Sequence, residues 1–530
     1  MKIINLFVII LLLAGCRFQA ESNPAFQVSM NGRLNFIGRY STGFISENGG
    51  VAEIVQYNKE NRRLYLVNGA LGSLDIVDAS SLRSGEFIHM SLARRIDMKA
   101  MGLERGFDYG DLTSAAIGTV YHADAVNRNM VVALAVQHSE YTAPGYVVLV
   151  NYEGDYLQHF RVGIQPDMIC FTKDGQYILT ADEGEPRRGY DGIGIDPPGS
   201  VSILNVRTRE VKTVDFVTFD TAAKREELVA KGVILTKGVK PSVDFEPEYI
   251  TVDDDGRTAW VSLQEANAIA ALNIPRGEVT AVHSLGFKDH SQAANAVDVL
   301  QDGRAILATQ NLWGARMPDG LAAAVIGGKQ YILTANEGDA REWGGSALDT
   351  VDHDMGSYEL TVINTRKKDG LDSGKVYLMG ARSFSIWEAS GSALTMIFDS
   401  GSDFERITAQ RYPSNFNASH INNVLDNRSG KKGPEPEYVS VLGIGDKTFA
   451  FIGLERIGGI MMYDISDPAS PVFCDYINTR DFSGSRLIEM GDLGPEGICT
   501  VEAQDSPTGT PLVFVANEVS GTVAVFEVVW

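Results

Sequence analysis

Cysteine is scarce in this chain, with 4 in 530 residues. Cys16, Cys170, Cys474 and Cys499 stand at no zinc-type spacing, so a Cys-ligated metal centre is excluded. Positive charge is short as well. Lys and Arg number 46 against 68 Asp and Glu, a net charge of -22, which excludes nucleic acid as a partner because phosphate backbones are bound by clustered cations. Long apolar runs are missing beyond the N-terminus, and the run Ile3 to Leu13 is itself too short to cross a bilayer as a stable helix. There is no G-x-S-x-G elbow, no H-E-x-x-H and no P-loop, so the common hydrolase and nucleotide-binding signatures are absent. What remains is an ordinary globular composition, 44% hydrophobic and 22% charged, with 54 glycines that suit a fold of many tight turns.

The N-terminal run follows Lys2 and ends in Leu13-Ala14-Gly15-Cys16. That pattern reads as a lipoprotein signal peptide over 1–16, with Cys16 lipidated as the mature N-terminus and 17–33 a tether. The alternative is an ordinary signal peptide with an incidental cysteine. Arg17 stands where Asp would favour inner-membrane retention, so the expected location is the outer membrane, on its periplasmic side or at the cell surface. Cys170 and Cys499 share a slot in PDMIC and PEGIC and read as small buried residues, and a Cys474–Cys499 bridge stays open.

A hairpin pattern recurs from end to end. Its clearest copy runs from Glu246 to Ile274, where Asp254, Asp255 and Gly256 turn the chain back between two strand-like runs. A carboxylate, Glu248, heads the first strand, and a second, Glu265, follows the return strand. The same layout pairs Asp167 with Glu183, Asp319 with Glu337, Glu437 with Glu455 and Glu496 with Glu518. A first unit has Glu53 leading and Asn68 trailing, and a weaker second unit, from about Ser114, carries His138 and Glu140 at its trailing position. Acidic triples such as Asp253-Asp254-Asp255 read as turn residues.

Seven such units exceed what a sandwich needs. They predict an all-β fold, a seven-bladed β-propeller over 34–530, closed by the strand Leu34 to Tyr40 joining the last sheet. Insertions are expected at about 211–243, with a short helix over Thr221 to Gly232, and at about 367–433, ending in a mobile polar loop.

DEGEPR at 182–187, DFEPEYITVDDDG at 244–256, TANEGDAREWGG at 334–345, GARSFSIWEA at 380–389, GPEPEYVSV at 433–441, GDLGPEGI at 491–498 and VANEVSGTVAVFEV at 515–528 resemble the choice-of-anchor I domain. That family includes mesenchyme-specific cell-surface glycoproteins and bacterial proteins labelled alkaline phosphatase-like. The resemblance covers roughly residues 34 to 528 and implies a propeller outside the cytoplasm, its members reaching the surface by differing anchors. It does not imply a defined reaction. The second unit departs from the pattern, and Ala52 replaces the proline of the first.

In a propeller both acids of each unit converge on one mouth of the axial channel, and so many carboxylates require positive charge. One reading supplies hard divalent cations, Ca²⁺ or Mg²⁺, with Asp167, Glu183, Glu248, Glu265, Asp319, Glu337, Glu437, Glu455, Glu496 and Glu518 as ligands. The other is structural: Arg187, Arg341 and Arg456 pair with the leading acids of adjacent blades. The function expected is a binding or scaffold module, a monomer that meets the membrane through its lipid and a small-molecule, mineral or protein ligand at the mouth. The alternative is a metal-dependent phosphoesterase whose catalytic candidates are Glu337, Asp339, Arg341 and Arg187. His138, His290, His353 and His420 are lone histidines that could assist, and Asn417-Ala418-Ser419 matches a glycosylation acceptor without requiring one.

Overall fold

A computed structural model describes residues 32–121, 128–186, 195–343, 346–347 and 349–530. Cys16, the signal peptide, most of the tether and Arg187 lie outside them. The described chain is all-β. Seven sheets of four or five strands form in chain order, and in six of them each strand pairs antiparallel with the one before it. Their first strands are Val55–Asn58, Asp111–Tyr121, Pro166–Phe171, Pro247–Val252, Leu321–Ile326, Pro436–Ile444 and Pro495–Val501. Each packs against the first strand of the next sheet, and the seventh packs against the first.

The second strands explain the spacing of the apolar residues. Tyr177–Asp182, Thr258–Leu263 and Leu512–Asn517 are buried on both faces apart from their first residues at most. They read as continuous apolar runs, not as strict alternation, because each sheet is covered on both sides by its neighbours. Between Tyr249–Asp253 and the return strand, Gly256 takes φ +68 in the tight turn anticipated there.

Arg33–Ser41 lies antiparallel to Thr522–Val529, with Leu34 opposite Val528 and Tyr40 opposite Val523. The two ends of the described chain therefore share one sheet, and Ile88–His89 adds a short parallel strand outside them. Among the described residues no helix is long and apolar enough to cross a membrane.

The excursions from this plan fall elsewhere than the spacing suggests. Val211–Val214 is the outer strand of the third sheet, so that excursion begins after it. Its helix is Ala222–Ala230, with the Thr221 side chain accepting from Lys224 N at its start. Ser383–Ser390 and Ala393–Asp399 are not inserted strands; they complete the fifth sheet beside Lys329–Asn336. In place of 367–433 the excursions run from 337 to 382 and from 400 to 435, and a further one, from 285 to 320, joins the fourth sheet to the fifth. The one from 337 carries short strands of its own, which broke the hairpin rhythm and hid the continuation. The polar segment read as a mobile loop is packed down: Arg382 donates to the Ser429 and Lys431 carbonyls and to Glu405, and Asn417 and Ser429 are fully buried.

Candidate functional site

Pro and acid together make a local device. In the third, fourth, sixth and seventh sheets the ladder slips just after the proline: between Pro166 and Met168, Pro247 and Ile250, Pro436 and Val439, Pro495 and Ile498. Asp167, Glu248, Glu437 and Glu496 sit inside these bulges, out of register with the partner strand. A bulge leaves a residue unpaired and re-aims its side chain. The second sheet has the same slip between Leu112 and Ser114. Here the bulge holds Thr113, so no acid fills the leading position; Asp111, two residues earlier and still in register opposite Gln137, acts on Glu53 and went unnoticed because no proline marks the start. Residues just before the prolines also carry strain, with Gln165, Met317 and Glu435 all at positive φ.

The seven starts converge tightly. Gly497 N donates to the Glu53 carbonyl at 2.9 Å, and Gly320 N to the Glu437 carbonyl at 3.1 Å. A Cβ on either glycine would lie 2.5 or 2.7 Å from that oxygen, so no other residue permits the approach. Burial pushes Glu53, Glu248, Glu437 and Glu496 well above the usual carboxylate range, and neighbouring acids add to it. Glu53 feels Asp111, Glu518 and Asp167; Glu248 feels Glu265, Asp319 and Glu183; Glu496 feels Glu518, Asp319, Glu455 and Glu53. Leading and trailing acids thus form one electrostatic group around one opening.

Built-in cations neutralise part of it, in one sector. Lys432 Nζ lies 2.5 Å from Glu337 Oε1, 3.1 Å from Glu435 Oε2 and 3.5 Å from Asp339 Oδ1. Arg456 holds Glu435 at 2.9 Å and Glu455 at 2.8 Å, and His420 Nδ1 is 3.1 Å from Glu455. Despite its burial, Lys432, Arg456 and Arg428 hold Glu435 far below the usual range. Arg341 donates to Glu246 Oε1 at 2.8 Å, to Asp244 Oδ1 at 3.2 Å and to the Asp244 carbonyl.

These pairings correct the structural reading. Arg341 does reach from the fifth unit to the entry of the fourth, but its partners are Asp244 and Glu246, not the leading acid Glu248. Arg456 stays within its own unit. In Glu246-Pro247-Glu248 and Glu435-Pro436-Glu437 the residue before proline takes the cation, and the residue after it faces the mouth. Glu248 Oε2 and Glu437 Oε2 are left buried without a hydrogen-bond partner, as is Glu246 Oε2, but neither Glu248 nor Glu437 has the salt bridge to an arginine that Glu246 and Glu435 have. The sequence separated neither role, because the two glutamates are chemically identical and only the bulge distinguishes them. Lys432, in the packed polar segment, was likewise missed.

Two further groups complete the mouth. Asp319, Glu437 and Glu496, from three consecutive sheets, each offer an oxygen, all within 4.8 Å of one another, and His420, Glu455 and Glu518 do the same with one nitrogen. Burial raises Asp319 above the usual carboxylate range as it does Glu437, and the two carboxyls offer oxygens within 4.8 Å of each other. The arrangement can chelate a hard cation with carboxylate oxygens, or hold protons when none is present.

The other candidates are accounted for locally. Glu337 also accepts from Gln264 at 2.9 Å, and Asp339 is half-exposed beside Lys432. Arg341 is buried with its donors committed, so it cannot face a phosphate. His138 pairs loosely with Asp108, His290 bonds the Asn295 carbonyl, and His353 lies in the strand Thr350–Asp354, so of the four histidines only His420 is held against trailing acids. Cys170, Cys474 and Cys499 are all free, which corrects the Cys474–Cys499 bridge. Asn417 is fully buried and donates to Glu405 and Ser429, a position closed to a glycan. Asp253 accepts from Trp260 Nε1 and Asp255 from Arg257 N, as turn residues do.

Seven antiparallel sheets in succession, with acids gathered where they start, define an all-β protein built from repeated sheets. This chain belongs to the choice-of-anchor I domain family, whose model matches residues 53–355 and 346–468. Membership supports an extracytoplasmic scaffold module. Gigasin-3a of Magallana gigas is 29% identical over 199 residues, covering 34% of this chain and 68% of that protein. Among solved structures, Kuenenia stuttgartiensis hydrazine synthase aligns at 12% identity over 92% of this chain and 97% of that one, with a TM-score of 0.43. The Cps50 (Swd1) β-propeller domain of Myceliophteria thermophila aligns at 8% identity over 92% and 99%, also with a TM-score of 0.43.

Proposed function

We propose that the chain is a seven-bladed β-propeller, lipid-anchored at Cys16 in the outer membrane, whose axial mouth binds a divalent cation, Ca²⁺ or Mg²⁺. The succession of sheet contacts and the pairing of Arg33–Ser41 with the last strand support seven blades and closure. Asp319, Glu437 and Glu496 are the central ligands, and the trailing acids Glu183, Glu265, Glu337, Glu455 and Glu518 stand around them with Asp167 and Glu248. Glu437 carries the reading: it is 7% exposed, and one of its carboxylate oxygens is buried with no partner. Leaving a buried polar oxygen unsatisfied is costly, and a bound cation that displaces the proton and engages that oxygen removes the cost. Three carboxylates do not fill the coordination sphere of Ca²⁺, so a small-molecule, mineral or protein ligand can complete it.

A phosphoesterase at the same mouth would need a free guanidinium; Arg341 is committed to Glu246 and Asp244, and Arg187, the other candidate, lies outside the described residues. Calorimetry is the direct test. Ca²⁺ or Mg²⁺ is expected to bind the full chain below millimolar concentration, and Glu437→Gln to weaken that binding by roughly tenfold or more, about 1.4 kcal/mol. No heat at millimolar cation overturns the proposal. On a generic phosphomonoester the same protein is expected to show no turnover that a chelator removes.

A further inference from the structure

The sheet starts that carry the leading acids line a cavity of about 110 Å³. Every one of the seven sheet starts contributes to its wall. Carboxylates come from Glu53, Asp167, Asp319 and Glu496, and the remainder of the lining is of another kind: Ile54, Met168, Tyr249, Tyr438 and Thr113. The two tyrosine rings meet edge to face, 5.3 Å between centroids and 78° between planes. Glu53 Oε2 is buried there without a hydrogen-bond partner.

This wall is poorly matched to a metal ion and well matched to an organic cation. A bare divalent ion requires oxygen on all sides, whereas here about half the lining is aromatic, thioether or aliphatic. An ammonium bearing carbon substituents satisfies both halves together. Its charge is met by the carboxylates, and its methyl or methylene groups pack on the negative faces of the tyrosine rings and on the polarisable Met168 sulfur. The volume equals that of three or four waters at about 30 Å³ each, the space of a compact head group and not of a sugar or a nucleotide. Lys432, Arg456 and Arg341 are held by Glu337, Glu435, Glu455, Glu246 and Asp244, so none of them fills this place.

We propose that the axial cavity binds an alkylammonium head group of about tetramethylammonium size, cradled by Tyr249, Tyr438 and Met168 and neutralised by Glu53, Asp319 and Glu496. The proposal shares Asp319 and Glu496 with the cation site proposed above, but it does not depend on metal binding. The two occupants compete, because each neutralises the same pair of acids.

Proton NMR of tetramethylammonium mixed with the full chain at pH 8 tests it, against sodium at matched ionic strength. The methyl resonance is expected to move upfield through the tyrosine ring currents, and Ca²⁺ to reverse the movement. Tyr438→Leu and Tyr249→Leu should each weaken binding about tenfold, while Tyr438→Phe, which keeps the ring, should bind as the parent does. Glu437→Gln should bind Ca²⁺ about tenfold more weakly yet retain the upfield movement, so a failure of the metal reading is distinguished from a failure of this one. No upfield movement with the parent protein overturns the proposal, as does full binding by either leucine variant in a folded state.

Discussion

Lys432→Met is expected to destabilise the protein by about 3–5 kcal/mol at pH 8, the cost of removing one partner from a buried ion cluster. Lys432 is buried among Glu337, Glu435 and Asp339, which hold its proton against the cost of burial. Without it those acids face one another and Glu455. A surface lysine would behave otherwise, because exposed pairs contribute little. The loss should shrink at pH 5. Burial and the neighbouring acids push Glu337 up to about 8 despite Lys432, so at pH 5 it is neutral and no longer needs a cation. Denaturant unfolding of parent and variant at the two pH values measures both numbers, and an equal loss at pH 5 and 8 would show that Lys432 acts by packing alone.

The parent protein without divalent cation should itself lose stability as pH rises from about 5 to 8. Burial raises Glu265 to about 7 and Glu337 and Glu518 to about 8, with adjacent carboxylates contributing, and burial raises Asp182 to about 7 away from the mouth. Each binds its proton more tightly folded than unfolded. Its stabilising contribution is therefore complete below the unfolded value, near 4, and is lost as pH climbs through the folded value. The amount lost is roughly 1.4 kcal/mol for every tenfold by which folding tightens the proton's binding. A divalent cation should reverse the trend, since it takes the place of the departing protons. At a hundredfold excess over Kd, Ca²⁺ is expected to restore about 2.7 kcal/mol at pH 8, and to add little at pH 5, where protons already fill the site. Unfolding curves with Ca²⁺ and with chelator at both pH values decide it. Equal gains at the two pH values would mean that the ion binds elsewhere.

Much of this site was legible because it repeats. Five Pro-acid starts, each followed by a turn and a trailing acid, announced both the strands and their shared edge, and Glu248, Asp319, Glu437 and Glu496 come together as the pattern required. Asp111 was lost because its unit lacks the proline. The strand pair Ser383–Ser390 and Ala393–Asp399 was misplaced because a long excursion separates it from its own sheet. Tyr249 and Tyr438 drew no notice, since nothing in a linear sequence tells that two residues far apart line one cavity.

The family, the all-β class and the identity of the acids are properties of the sequence itself, because hydrophobic runs, turn residues and charges are local and their recurrence can be counted. Which acid accepts an arginine and which is left facing the mouth was decided only in three dimensions. Glu246 and Glu248, like Glu435 and Glu437, differ in nothing but the side of a proline they occupy. A bulge in the ladder turns one toward Arg341 or Lys432 and the other toward the axis, and that choice depends on strands and excursions that meet only after the chain has folded.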